Sequence, residues 1–120
     1  MQRNSIVLGA AVLAALVKPA ISADAEHGKA LFAACAACHQ EKPDALGPSL
    51  KGVLGRRSGA LEDFRYSNPM KRANLVWDEA ALREYIADPQ AKVKGNRMPF
   101  DGLHDPKDVD DIIEYIKTYK

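Results

Sequence analysis

Residues 35–48 read Cys35-Ala36-Ala37-Cys38-His39-Gln40-Glu41-Lys42-Pro43-Asp44-Ala45-Leu46-Gly47-Pro48. Two cysteines separated by two residues, with a histidine directly after, form the attachment pattern of a c-type haem. The spacing has a chemical reason. Thiols at i and i+3 on one helical turn can each add across a vinyl group of a single porphyrin, and the adjacent imidazole is then carried under the ring to bind iron. Three other readings fit less well. Structural zinc wants four ligands in paired clusters, and there is neither a second cysteine pair nor a His-x₃₋₅-His. A thioredoxin-like CxxC follows a strand and opens a helix, whereas this one closes a helical pattern. A disulfide across so short a loop would constrain little of the unfolded chain.

The 120 residues hold one domain, preceded by a leader. Arg3 supplies a positive start, Ile6 to Val17 is an uncharged apolar run, and the small residues of Ala20-Ile21-Ser22-Ala23-Asp24-Ala25 follow. This reads as a secretory signal peptide over residues 1–23 and a mature domain over 24–120, with cleavage after Ala23 favoured over cleavage after Ala25. The run is too short for the roughly 20 residues of a membrane span, so no stable membrane insertion is expected. Removing Arg3 and Lys18 with the leader takes the formal charge from +1 to −1. Such a balance gives no global basic field for nucleic acid.

No strand alternation competes, and the mature chain reads as all-α. A helix from Glu26 runs to Ala37, with Gly28 one turn before Phe32. The segment from Gln40 to Gly59 is dense in glycine and proline and reads as a loop around one side of the cofactor. Ser67-Asn68-Pro69 opens a short helix. Asp78 caps another, with the stripe Leu82, Tyr85 and Ile86, which Asp88-Pro89 ends. Residues 89–104 are expected to be a long functional loop. Asp105-Pro106-Lys107-Asp108 begins the last helix, whose apolar face is Val109, Ile112, Ile113 and Ile116.

A haem held by His39 has a second axial position, and His27, His104, Met70 and Met98 are the candidates for it. His27 lies on the attachment helix and His104 beside a helix cap. Met70 reads as apolar filler. Met98, in Lys94-Gly95-Asn96-Arg97-Met98-Pro99-Phe100, is the expected ligand, with Phe100 covering the ring.

At this point the motifs resemble a family. Gly28-x-x-x-Phe32, Cys35-x-x-Cys38-His39, Gly47-Pro48 through Gly55-Arg56, Phe64-Arg65-Tyr66-Ser67, Val76-Trp77 and Met98-Pro99-Phe100 look like class I cytochrome c of the mitochondrial and bacterial c2 kind. The resemblance spans the mature chain and implies a small cytochrome c fold, with helices packed around one covalent haem c. It implies that the Pro48 carbonyl orients His39, that Arg56, Tyr66 and Trp77 surround the haem propionates, and that Tyr85 and Asn96 lie near Met98. It also implies that Gly28 and Phe32 cross the last helix near Tyr115. The chain departs from the pattern at Lys94-Gly95-Asn96-Arg97, where Pro-Gly-Thr-Lys is usual, so the hydrogen bond of the Thr position falls to Asn96.

The function so implied is that of a soluble, monomeric periplasmic electron carrier and not an enzyme. Its partners would be a quinol-oxidising cytochrome complex and a terminal oxidase or reductase. A dedicated haem subunit of one oxidoreductase complex is the alternative, and a haem peroxidase or gas-binding protein is a more distant one. Docking is expected on a basic face of Lys51, Lys92, Lys94 and Arg97, opposite the acidic helix of Asp105, Asp108, Asp110, Asp111 and Glu114.

Overall fold

The computed structural model describes residues 2–12 and 22–120; the leader expected over residues 1–23 therefore lies partly outside the described residues. Five helices follow in order: α1 Ala25–Ala36, α2 Asn68–Arg72, α3 Glu79–Ala87, α4 Pro89–Lys92 and α5 Pro106–Ile116. Among the described residues β-pairing is limited to one isolated antiparallel bridge, Arg57 to Val76. The all-α expectation holds. No helix among the described residues is long and apolar enough to cross a membrane.

The helix starts follow capping chemistry. The carboxylates of Asp24, Ser67's hydroxyl, and the carboxylates of Asp78, Asp88 and Asp105 each accept from a backbone N–H in the first turn of the helix they precede. Those amides have no partner within the helix, so each cap contributes about 1 kcal/mol. Asp88 does two things at once. Its N–H donates to the Glu84 carbonyl at 3.1 Å and closes α3. Its side chain accepts from Ala91 N at 3.2 Å and opens α4. The expected loop 89–104 is thus corrected at its start, because Pro89 at the first helical position and the Asp88 cap suffice to form one turn.

The frame of the molecule is the crossing of α1 and α5. On α5, Val109, Ile112, Ile113 and Ile116 are buried, with Ile112 fully inaccessible. Such side chains contribute about 1.5–3 kcal/mol each when removed from water. Phe32 of α1 packs between the rings of Tyr115 and Tyr119, with centroids 5.1 and 4.9 Å away. Gly28 is the point of closest approach. A Cβ there would overlap the Asp111 carbonyl oxygen, lie 2.6 Å from its carbon and 3.0 Å from Tyr115 Cβ. Backbone cannot yield as a side-chain tip can. Gly28→Ala should therefore destabilise the protein by about 3 kcal/mol, measured by denaturant titration, despite alanine's better helix propensity.

Helix α3 also lies against α5, and the Trp77 and Tyr85 rings pack with centroids 5.0 Å apart. The glycine-rich segment before α2 is stitched to the frame by its backbone. Gly52 N–H donates to the Tyr119 carbonyl at 2.9 Å, Gly55 N–H to that of Trp77 at 2.8 Å, and Trp77 N–H to that of Arg56 at 2.8 Å. These bonds hold the loop as the wall of a cavity.

Candidate functional site

Between α1, the two loops and α3 lies a largely apolar cavity of about 460 Å³. Its wall brings together residues from the whole domain: Cys35 in the last turn of α1, Cys38 and His39 just beyond it, Gly47 and Pro48, Tyr66, Met70, Trp77, Tyr85, then Asn96, Met98 and Phe100. The volume falls within the usual range of cofactor sites.

Neither cysteine is paired in a disulfide, and both are half-buried at the end of α1. His39 N–H and Cys38 N–H both donate to the Cys35 carbonyl, at 3.0 and 3.1 Å, so the three side chains stand on one tight turn. Burial pushes the Cys35 thiol above its ordinary pKa, outweighing the hydrogen bond of its own backbone. His39 Nδ1 donates to the Pro48 carbonyl at 2.7 Å. That bond places the ring proton on Nδ1 and leaves Nε2 with its lone pair. Burial lowers the imidazole's pKa, so the neutral ligand form prevails near pH 7. Gly47 completes the seat. A Cβ on it would stand 2.5 Å from Cε1 and 2.6 Å from Nδ1 of His39.

The residues fit a c-type haem on these observations alone. Two thiols, an imidazole with its second nitrogen anchored, and an apolar hollow share one site, and the seat admits nothing larger than glycine at position 47. Of the four candidates for the second axial position, His27 and His104 do not border the cavity, whereas both Met70 and Met98 do. Met70 belongs to the short α2 and packs against the core. Met98 belongs to a braced loop, and Asn96 is the brace. The Asn96 amide is 7% exposed, with Nδ2 donating to the Pro89 and Val93 carbonyls at 3.0 and 2.8 Å and Oδ1 accepting from Met98 N at 2.9 Å. Gln90 adds two bonds to the same loop, from Nε2 to the Asn96 carbonyl and to Oε1 from Gly95 N.

This geometry bears on several expectations. Both amide hydrogens of Asn96 are engaged by backbone carbonyls, so it does not offer the free donor that its position in the family pattern implied. Arg56 does not border the cavity. Its guanidinium donates to the Ser49 and Lys51 carbonyls and fixes the turn after Pro48. Arg65 and Arg97 do border it, and Arg97 reaches the Arg65 carbonyl, joining the two loops at the rim. The sequence placed Arg97 on the basic face but gave Arg65 no role; its adjacency to Tyr66 was the available signal. Tyr66 accepts from Leu61 N at 3.2 Å, and burial pushes the Tyr85 phenol up to about 12, so both stay neutral hydroxyls.

The charge pattern is also revised. Lys92 is paired with Glu84, Asp110 with Arg83, and Lys117 with both Glu79 and Glu114. Asp111, counted with the exposed acids of α5, is 1% exposed. Of the basic residues expected at the docking face, Lys92 is thus neutralised by an acidic neighbour.

Comparison with known proteins identifies the family. The family model described as Cytochrome c matches residues 25–120. Cytochrome c2 of Blastochloris viridis is 44% identical over 119 residues, covering 97% of this chain and 94% of that protein. Cytochrome c2 iso-2 of Magnetospirillum molischianum is 45% identical over 100 residues, covering 82% of this chain and all of that one. The solved structure of cytochrome cH from Methylobacterium extorquens superposes with a TM-score of 0.75 at 46% identity, over 79% of this chain and 98% of that one.

Proposed function

The chain belongs to the cytochrome c family, and from that premise we propose that it is an exported one-electron shuttle working in the periplasm. As a cytochrome c it carries covalently bound haem c and transfers electrons without transforming a substrate. The observation that carries the fuller reading is the convergence of Cys35, Cys38, His39 and Met98, from opposite ends of the domain, on one apolar cavity. When bound, the haem supplies the redox centre, its iron passing between ferrous and ferric.

The chain's residues do the rest. Cys35 and Cys38 hold the cofactor through their sulfurs. His39 would hold the iron through Nε2, which the Nδ1 bond to the Pro48 carbonyl leaves with its lone pair. Met98 would supply a thioether to the same iron, and His/Met ligation would raise the reduction potential. Tyr66, Trp77, Tyr85 and Phe100 exclude water, which also favours the less charged reduced state. The fixed backbone around both ligands limits rearrangement between oxidation states. Partners are a quinol-oxidising complex as donor and a terminal oxidase or reductase as acceptor, met through the basic rim in brief, salt-sensitive encounters. The leader of residues 1–23 accounts for export.

An optical spectrum of the periplasmic protein tests the reading. The reduced form should show the sharp bands of a six-coordinate haem, unchanged by carbon monoxide at neutral pH. Acid and organic solvent should leave the colour on the polypeptide. Free haem in the organic phase overturns covalent attachment, and rapid carbon monoxide binding overturns the closed Met98 site.

A further inference from the structure

The electron-transfer site leaves one buried ionised group unused. Asp111, on the face of α5 that meets α1, has a side chain only 2% exposed. Three donors converge on its carboxylate: Lys107 Nζ and Asp24 N on Oδ1, the latter at 2.7 Å, and His27 Nδ1 on Oδ2 at 2.7 Å. Asp108 stands 3.9 Å from the same imidazole. The hydrogen bonds from Lys107, Asp24 N and His27 hold the Asp111 carboxyl well below the usual range, so it is an anion at neutral pH. The donor from Asp24 is the unusual one, because residue 24 is the first after the favoured leader cleavage point.

We propose that Asp111 is the built receptor for the processed N-terminus, pairing with the α-ammonium that cleavage between Ala23 and Asp24 creates. The proposal rests on reading residues 1–23 as a leader. A leader peptidase adds water across the Ala23–Asp24 bond. The carboxylate leaves with Ala23, and the Asp24 nitrogen takes up protons to become an α-ammonium, as is usual near pH 7. A neutral amide donor seated 2.7 Å from Asp111 thereby becomes a charged one without having to move.

The surroundings are suited to that charge. Asp24's own carboxylate stays engaged as the cap of α1, accepting from Glu26 N at 3.0 Å and His27 N at 3.2 Å, so residue 24 is fixed from both sides. The new terminus and Lys107, with the His27 imidazole whose pKa the hydrogen bond to Asp111 raises, then face the carboxylates of Asp24, Asp108 and Asp111. The same geometry separates the two cleavage points that small residues alone allow. A cut after Ala25 would delete Asp24, removing both the cap of α1 and the donor to a buried anion, and such losses are costly. A cut after Ala23 preserves both and strengthens one. Leader removal would thus tighten the α1–α5 crossing that carries Cys35 and Cys38.

The test uses the exported holoprotein and a variant with one glycine inserted between Ala23 and Asp24, which restores an amide at residue 24. Intact mass and terminal sequencing should show the unaltered chain beginning at Asp24; another first residue would overturn the leader reading, and the proposal with it. With limiting acetic anhydride near neutral pH, the Asp24 amine should acylate at least about tenfold more slowly than the inserted glycine's amine, because a buried ion pair withholds the lone pair. The insertion should also raise the unfolding constant about tenfold, the difference between a charged and a neutral hydrogen bond. That penalty should disappear in Asp111→Asn. Equal acylation rates in a chain beginning at Asp24, or an equal penalty in Asp111→Asn, would overturn the proposal while leaving the leader reading intact. If Asp111→Asn does not fold, the acylation rates decide alone.

Discussion

In Met98→Ala the weak sulfur-to-iron absorption band of the oxidised protein disappears, added imidazole or cyanide binds readily, and the reduction potential falls. The fall should be roughly 100 mV or more, a fraction of the ~0.8 V that axial ligands control across haem proteins. Met70→Ala should change none of the three, although Met70 also borders the cavity. The contrast decides the ligand, since a packing role would make the two variants alike. Asn96→Ala provides an intermediate case. It keeps the thioether but removes three hydrogen bonds and leaves the Met98 N–H without its acceptor, while the Pro89 and Val93 carbonyls keep the N–H groups of Val93 and Asn96. Each loss costs about 1 kcal/mol or more, so the sulfur band should persist while imidazole enters the oxidised protein about tenfold faster or more. Loss of the band in Met70→Ala with retention in Met98→Ala would reverse the assignment.

Gly47→Ala should be almost as severe on the other side of the cofactor. The added Cβ would sit 2.5 Å from His39 Cε1, and the imidazole cannot turn away without breaking its bond to the Pro48 carbonyl. Both thiols remain, so the haem should still attach. The expected product is a coloured holoprotein with reduced yield, a shifted potential and stability lower by about 3 kcal/mol. Gly52→Ala is the control. Gly52 has φ +67° with nothing near its missing Cβ, so only backbone strain is added, about 1–2 kcal/mol, and the spectrum should not change. An unaltered spectrum and potential in Gly47→Ala would show that His39 has room the geometry denies it.

Much of this was legible because its causes are local. Asp78 and Asp105 announce helix starts through acceptor chemistry that acts within one turn, and Val109, Ile112, Ile113 and Ile116 announce the buried face of α5 by spacing. The CxxCH turn is a self-contained chemical unit, so its meaning needs no tertiary context. What escaped depends on distant neighbours. Helix α4 is one turn long and too short for periodicity. Asn96 looked like a donor for the cofactor because its acceptors, two carbonyls of α4 and the residue after it, are backbone groups with no sequence signature. Asp111 looked like a surface acid because its burial comes from Gly28, more than eighty positions earlier, letting α1 approach. Arg56 fits the family pattern, yet its guanidinium is occupied by the carbonyls of its own loop.

The shared residue Asp88, ending one helix and starting the next, has a kinetic meaning. The Met98 loop is tied back to this joint by Asn96 and Gln90, and Leu103 N–H donates to the Ile86 carbonyl at 2.9 Å, so both ends of the loop hang from α3 and α4. The α1–α5 crossing contributes Phe32, Val109, Ile112, Ile113 and Ile116 to the core. The loop, held mainly by hydrogen bonds, should therefore open as a unit before the α1–α5 crossing does. In native-state hydrogen exchange, the amides of Asn96, Met98 and Leu103 should open together at low free energy, while those inside α1 and α5 exchange only on global unfolding. A partly opened molecule would lose its distal ligand and its potential, yet keep its cofactor on α1 and recover both on reclosing.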